Sequence, residues 1–361
     1  MNKQNILQTL KELGIFLSKD RDNEFEEIIT NERIFNPWFT HQNVEFALNA
    51  WAKALEKNKL LHWHSQWKNN PHDNYREAIG SDTYRIKKNS PVRKIGIIMA
   101  GNIPMVGFHD LICVIVSGNI ALVKLSSKDS KLIPYLVKKL IEIEPKIKNQ
   151  IEFVDRLTGY DAVIATGSNN SARYFEYYFR NQPHIIRKNR TSVAILNGNE
   201  TKKELEELSN DFFTYFGLGC RNISKLFVPN GYNFKNLMES FNCYSNVLNH
   251  NKYMNNYEYN KAIFLLNLIP HFDNGFILLK HDTSLFSPTA VLHYENYNKQ
   301  EDVFKYLKNE KEKIQCIVKT SDNNESSILK GIPIYLPGTT QFPELWDYAD
   351  QIKVMDFLNK L

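Results

Sequence analysis

Cysteine is scarce in this chain and widely spaced: Cys113, Cys220, Cys243 and Cys316 among 361 residues, with no C-x-x-C pair. That spacing excludes a disulfide framework and a zinc signature, and it fits a reducing, cytoplasmic setting. Long hydrophobic runs are missing too. No stretch approaches the ~18 apolar residues of a membrane span, and the N-terminal MNKQNILQTLKELG carries charges throughout instead of a signal-peptide core. No G-x-G-x-x-G occurs, which disfavours an ordinary Rossmann dehydrogenase. There is no basic block either: Lys and Arg are scattered among Asp, Glu and Asn. The net charge of +5 therefore argues against nucleic acid and better suits small anionic ligands. Internal repeats and low-complexity linkers are likewise absent.

What remains is a soluble-type composition, 42% hydrophobic and 24% charged, with length enough for two domains. Residues 1–80 read as helices, with Ile6, Leu10, Leu13 and Phe16 at helical spacing and Phe46, Ala47, Ala50, Trp51, Ala54 and Leu55 after them. His62-Trp63-His64 reads as an aromatic edge of such a helix, and no metal is expected there. Residues 81–94 alternate polar and apolar, as an extended arm would.

From Ile95 strands and helices alternate. IGIIMA (95–100) and IALVK (120–124) are short apolar runs of the kind that form buried parallel strands. Pro104 is expected to open a helix through Val116, ended by Ser117-Gly118. A second helix is expected over 131–143, strands at 151–154 and 162–165, and a helix over 172–179. A strand at 193–196 then closes the series. The pattern predicts a doubly wound parallel sheet that binds ligands at the carboxyl ends of its strands. After the Asn197-Gly198-Asn199 turn, a second α/β domain is expected, with a helix from Lys202 to about Tyr215. Strands follow at 226–228, 275–279, 290–294 and 314–319. The predicted domains are residues 1–198, with N-terminal helices and a nucleotide-binding sheet, and 199–335. A segment 336–361 returns to the first domain.

The chemistry centres on FFTYFGLGCRNISKLFVP (212–229). Cys220 stands at a glycine-framed break between helix and strand, where a thiolate can reach a carbonyl and a backbone N–H can reach the oxyanion. A buried structural cysteine is the alternative. Ala100-Gly101-Asn102 ends the first strand, so the Asn102 amide either faces an oxyanion or caps the next helix. Lys124, Ser126, Ser127 and Lys128 end the second strand, where they suit a ribose or phosphate or are simply solvated. Gly167-Ser168 ends another strand and suits a diphosphate, or forms a plain turn.

GNIP (101–104), SGNIALVKLSS (117–127), ATGS (165–168), FGLGCRNISKLFV (216–228) and LFSP (285–288) occur in that order. Together they resemble the aldehyde dehydrogenase superfamily, and within it the acyl-CoA reductases related to the fatty acid reductase of bacterial luminescence. The resemblance covers about residues 90–295. It implies an aldehyde dehydrogenase-like α/β fold: a Rossmann-like cofactor domain plus a second α/β domain carrying the catalytic cysteine. It also implies Cys220 as the thiol and Asn102 as the oxyanion amide. Ala100, Lys124, Ser126, Ser127, Lys128, Gly167, Ser168 and Phe286 would be the contacts of a nicotinamide dinucleotide. The activity implied is NAD(P)H-dependent reduction of a fatty acyl-CoA, or an acyl-carrier thioester, to the aldehyde.

Two departures from the superfamily bear on this. Its hydrolytic members carry a glutamate in E-L-G-G, whereas HIIRKNRTSVAIL (184–196) has no carboxylate. An acyl-enzyme here would be resolved by thiol or hydride rather than water. The acidic residue that contacts the adenosine ribose is replaced by Ser127 and Lys128, which favours NADPH over NADH. An acyl-phosphate reductase of the same superfamily and a non-catalytic nucleotide-binding relative are the alternatives. The resemblance further implies a homo-oligomer, with the 81–94 segment as a swapped arm, and a partner enzyme that supplies acyl groups or consumes aldehyde.

Overall fold

The computed structural model describes residues 3–68, 77–78, 84–85, 91–320, 329 and 331–361. The chain divides into two units, one of residues 1–188, 344–348 and 352–361, the other of 189–343 and 349–351.

The first unit begins with four amphipathic helices, α1 (Lys3–Lys19), α2 (Asn23–Phe35), α3 (His41–Ala54) and α4 (Lys57–Lys68). Their apolar stripes bury Leu10, Leu13, Leu17, Phe25, Ile29 and Leu48. In α4, Trp63 is buried and its indole N–H donates to the Tyr348 hydroxyl (2.9 Å), while His62 and His64 lie edge-on to Trp346 and Trp67. Of the arm expected over 81–94, the described part includes β2 (Tyr84–Arg85), antiparallel to β1 (Glu77–Ala78). Residues 81–83 and 86–90 lie outside the described residues.

A parallel five-stranded sheet follows. Its strands are β3 (Lys94–Ile98), β4 (Ile120–Lys124), β5 (Ile151–Phe153), β6 (Ala162–Thr166) and β7 (His184–Arg187), in spatial order β5-β4-β3-β6-β7. The linking helices are α5 (Phe108–Val116), α6 (Leu132–Ile143) and α7 (Asn169–Tyr178). Helix α5 is buried from Asp110 to Val116 because its residues 111–116 are all apolar and it packs on β3, β4 and α1. Each of its Leu, Ile and Val side chains contributes about 1.5–3 kcal/mol of burial. In register, Ile98 pairs with Lys124 and with Ala165, so the loops after β3, β4 and β6 emerge along one edge.

Pro104 does not open α5. Met105 adopts a left-handed φ of 56° and gives its N–H to the Asp129 carboxylate (2.7 Å), and Gly107 passes flush over Met99. The helix therefore starts at Phe108.

The second unit holds β8 (Thr191–Ile195), α8 (Lys202–Phe213), β9 (Ile223–Pro229), α9 (Lys235–Ser240), α10 (Asn251–Leu266) and β10 (His271–Asp273). It continues with β11 (Leu278–His281), β12 (Val291–Tyr297), α11 (Gln300–Asn309), β13 (Ile314–Lys319) and β14 (Ile334–Tyr335). The sheet order is β10-β11-β12-β9-β8-β13-β14, parallel except for the β10–β11 pair. Strand β8 thus opens the second sheet instead of closing the first. The break falls at Lys188–Asn189, ahead of the Asn197–Asn199 turn. The strand is buried at every position, and a fully buried run reads the same in either sheet. Strand β11 starts only at Leu278, because Asn274 accepts N–H bonds from Phe276 and Ile277 and holds that stretch in a turn. At the end of the chain α12 (Val354–Asn359) packs on α5 in the first unit, while residues 336–343 remain with the second.

Candidate active site

Helix α8 opens with a capping box: Thr201 Oγ1 accepts from the Glu204 N–H, and the Glu204 carboxylate accepts from the Thr201 N–H. It ends at Phe213, short of the expected Tyr215, because the backbone reverses hand. Tyr215, Phe216 and Gly217 have φ of 55°, 57° and 76°. Two successive bulky residues in the left-handed region are costly and persist only where their surroundings hold them. The holding residue is Asn222. Its buried amide donates to the carbonyls of Asp211 (3.1 Å), Phe212 (3.3 Å) and Thr214 (2.9 Å), and its Oδ1 accepts from the Gly219 N–H (2.8 Å). The Asn222 N–H closes the turn onto the Gly219 carbonyl (3.1 Å). Cys220 and Arg221 are the two corner residues of that turn.

Cys220 is half-buried. From β8, Ser192 Oγ donates to its carbonyl (3.0 Å) and lies 3.0 Å from the Cys316 Sγ. Cys316 is fully buried, and burial pushes its thiol up to about 12, so it stays protonated and inert. Cys113 is buried as well, with its thiol pushed far up for the same reason. Cys243 is exposed, and the partial burial of its sulfur raises the thiol pKa.

The 282–286 loop of the same unit carries Phe286, 38% exposed. It is tied down from beneath. Ser224 donates to the Leu285 carbonyl, and the fully buried Lys225 donates to the Thr283 carbonyl (2.8 Å) and pairs with Glu295. His293 Nδ1 lies 3.1 Å from the Ser284 carbonyl, so the proton sits on that nitrogen; burial lowers the pKa of the imidazole and keeps it neutral.

In the first unit the predicted cofactor residues line the carboxyl edge of the parallel sheet. Ala100 follows β3, and Asn102 is exposed in an irregular turn well before α5 begins, so it is not the helix cap. Lys124 ends β4 with its Nζ on the Asp155 carbonyl (2.6 Å). Ser126 Oγ accepts from the Lys128 N–H (3.2 Å), and Ser127 and Lys128 are exposed. The β3 and β4 loops touch: a Cβ on Gly101 would stand 2.5 Å from Ser126 Oγ. Asn36, buried at the end of α2, donates to both the Gly101 (3.3 Å) and Lys128 (3.2 Å) carbonyls. Gly167 packs on Ser171 and Phe175 of α7, where a Cβ would come within 2.8–2.9 Å, and Ser168 caps α7 by accepting the Ser171 N–H (3.2 Å). Sequence reading brought these residues to one edge but missed Asn36 and Asp129, whose partners lie far away in the chain.

Beside that clamp two carboxyls are shut away from water. Glu32 and Asp129 are each 1% exposed, and Glu32 Oε1 and Asp129 Oδ1 have no hydrogen-bond partner. Burial, and for Glu32 also the charge of Asp129, pushes both up to about 7. Acids raised in the folded state bind protons that the unfolded chain gives up. Their stabilising contribution is complete below pH ~4 and is lost as the pH rises through 7. Glu32→Gln should therefore raise the melting temperature at pH 8 by the equivalent of roughly 2 kcal/mol and change it little at pH 5. Equal shifts at both pH values would refute this.

The 184–196 stretch, which lacks a carboxylate, runs through β7 and β8. Its buried Arg187 takes a carboxylate from α5 instead: Asp110 receives both guanidinium nitrogens, one at 2.9 Å. Asp110 is thus held in a bidentate ion pair and is not free to act as a base.

Aldehyde dehydrogenase structures share the fold at low identity. The indole-3-acetaldehyde dehydrogenase AldA of P. syringae, a mutant in complex with NAD+ and IAA, is 12% identical, with a TM-score of 0.67 over 93% of this chain and 77% of that one. An NAD+ complex of an aldehyde dehydrogenase from Bacillus cereus gives 12% and 0.65 over 93% and 76%. An acetylating aldehyde dehydrogenase from Geobacillus thermoglucosidasius gives 11% and 0.58 over 97% and 84%. Among curated proteins none matches the sequence. Among the described residues no helix is long and apolar enough to cross a membrane. The model of one family, described as acyl-CoA reductase (LuxC), matches residues 1–253, and by that match the chain belongs to the acyl-CoA reductase (LuxC) family.

Proposed function

We propose that this oxidoreductase reduces a fatty acyl thioester, acyl-CoA or an acyl carrier, to the aldehyde through an acyl-cysteine at Cys220. The observation that carries the proposal is the Asn222-anchored turn. It leaves Cys220 half-exposed at its corner, while Cys113 and Cys316 are buried and inert. The Cys220 thiolate attacks the thioester carbonyl, the C–S bond to CoA breaks, and CoA leaves as its thiolate. The Cys220 N–H is a donor for the oxyanion, and Asn102 is assigned the same task from its motif and its exposed place after β3. With the stretch 184–196 lacking a carboxylate and Asp110 held by Arg187, that segment offers no base to activate water, which favours aldehyde over acid.

A nicotinamide dinucleotide fits the donors of the sheet edge: a lysine amine, two serine hydroxyls, a glycine turn and a capped helix start. When bound, it would supply the hydride. Ala100, Lys124, Ser126, Ser127 and Lys128 would hold its adenosine half, Gly167 and Ser168 the diphosphate, and Phe286 the nicotinamide ribose. Exposed Lys128, with no carboxylate beside it at 126–128, favours NADPH over NADH. The domain roles follow: residues 1–188 bind cofactor and 189–343 carry the thiol. A cytoplasmic homo-oligomer with an acyl-supplying or aldehyde-consuming partner completes the proposal.

Intact-protein and peptide masses after incubation with a panel of acyl-CoAs, without nicotinamide, test this reading. The expected result is an acyl adduct on the Cys220 peptide with release of CoA, absent in Cys220→Ala, discharged as aldehyde by NADPH more readily than by NADH. No adduct from any acyl-CoA overturns the thioester reading. An adduct from acyl phosphates alone would mark the acyl-phosphate reductase.

A further inference from the structure

The other corner of the Cys220 turn is a cation, next to the cysteine in the chain. Arg221 follows Cys220, and its Nη1 is shut off from solvent. The guanidinium lies 5.4 Å from the ring centroid of Tyr335 on β14. The groups around Arg221 and the neighbouring Cys316 thiol come from three strands and one helix. β13 brings Cys316, β14 brings Tyr335, and β8 brings Ser192, which touches the Cys316 sulfur and the Cys220 carbonyl at 3.0 Å each. From α8 comes Asp211, whose carboxylate is spent on the Gly338 N–H (2.7 Å) and on the Thr340 N–H (3.1 Å) and hydroxyl (2.6 Å).

Of these groups, three could accept a negative charge beside Arg221. Burial acts to lower the guanidinium pKa, but Cys316, Tyr335 and Cys220 outweigh it and hold the pKa up. Burial keeps the Cys316 thiol near 12 even beside this cation, and Tyr335 is a phenol that ionises near 10 in water. Cys220 is half-buried, and a thiol ordinarily ionises at about 8.5, below a phenol. A lysine in this position could shed its proton on burial, whereas a guanidinium keeps its charge.

We infer that Arg221 is the positioning cation that holds Cys220 as its thiolate, with Tyr335 seating the guanidinium and Ser192 fixing the Cys220 carbonyl against the Cys316 thiol. The inference rests on Cys220 as the nucleophile but is independent of the acyl donor. It assigns the low-pKa environment that the cysteine motif does not disclose, since an arginine after a turn cysteine can as well point to solvent.

The test is the pH dependence of Cys220 alkylation by iodoacetamide, read from the mass of its peptide in the full-length protein. In the wild type the midpoint should fall a unit or more below the ordinary ~8.5 of a free thiol. In Arg221→Met and in Arg221→Gln it should rise by about a unit, with an approximately tenfold slower reaction at pH 7. Arg221→Lys should restore part of the shift. A wild-type midpoint at or above 8.5 overturns the inference with no variant needed. So does an unchanged midpoint in either neutral variant that melts like the wild type. If the midpoint is low while no acyl donor labels Cys220, the thiolate assignment stands and the substrate reading fails.

Discussion

Asn222→Ala should cost about 3–5 kcal/mol of stability and slow acylation or alkylation of Cys220 by roughly a hundredfold. The amide of Asn222 satisfies three buried carbonyls at the end of α8 and the part-buried N–H of Gly219. Alanine leaves those groups buried and unpaired, at about 1–3 kcal/mol each before relaxation. It also releases the left-handed Tyr215 and Phe216, whose strain then drives the turn away from its native course. The loss of rate follows because a displacement of the order of 1 Å at a reacting atom costs about 10²-fold. Asn222→Asp should be no better than alanine. It keeps the acceptor for Gly219 but turns a carboxylate oxygen toward three carbonyl oxygens. Urea midpoints and the alkylation rate together check this. Full reactivity in a destabilised Asn222→Ala would show that the turn holds its shape without the side chain.

The second large effect is expected at Arg187 and Asp110, buried at 4% and 5% exposure. Removing one member of such a pair strands the other charge, so Arg187→Met and Asp110→Leu should each cost about 3–5 kcal/mol. The double variant should lose much less than their sum, with an interaction of at least about 2 kcal/mol in the thermodynamic cycle, since neither charge of the pair is then left unpartnered. Simple additivity would mean the two groups do not act as a pair. The consequence reaches the carboxyl edge of the first sheet, because the Gly167 N–H bonds to the Arg187 carbonyl (3.2 Å). Loosening β7 therefore also loosens the Gly167-Ser168 turn.

Much of the fold was legible because burial on both faces writes a short apolar run. IALVK (120–124) and IQCIVK (314–319) became strands at the residues expected, and IGIIMA (95–100) became one from Lys94 to Ile98. Strand β7, HIIR, was missed: two apolar residues between charged or titratable ones give neither a run nor an alternation. The early start expected for α5 followed a sound local signal, Pro104, that a distant carboxylate, Asp129, overrides.

By itself the sequence determined that this is a two-part α/β protein, that its candidate binding loops end parallel strands, and that Cys220 sits at a break between helix and strand. Those features depend on neighbours along the chain: periodicity, glycine, and the residues flanking a turn. Only the tertiary structure decided which sheet receives β8, that Asn36 and Asp129 clamp the loops after β3 and β4, and that Arg187 takes the carboxylate of Asp110. It also decided that Arg221 stands among Cys220, Cys316 and Tyr335. Apart from the place of β8 and the adjacency of Arg221 to Cys220, each of these joins polar groups far apart in the chain, where burial makes an unpaired group costly. A linear pattern records that a polar residue is present, but it cannot say which distant partner satisfies it.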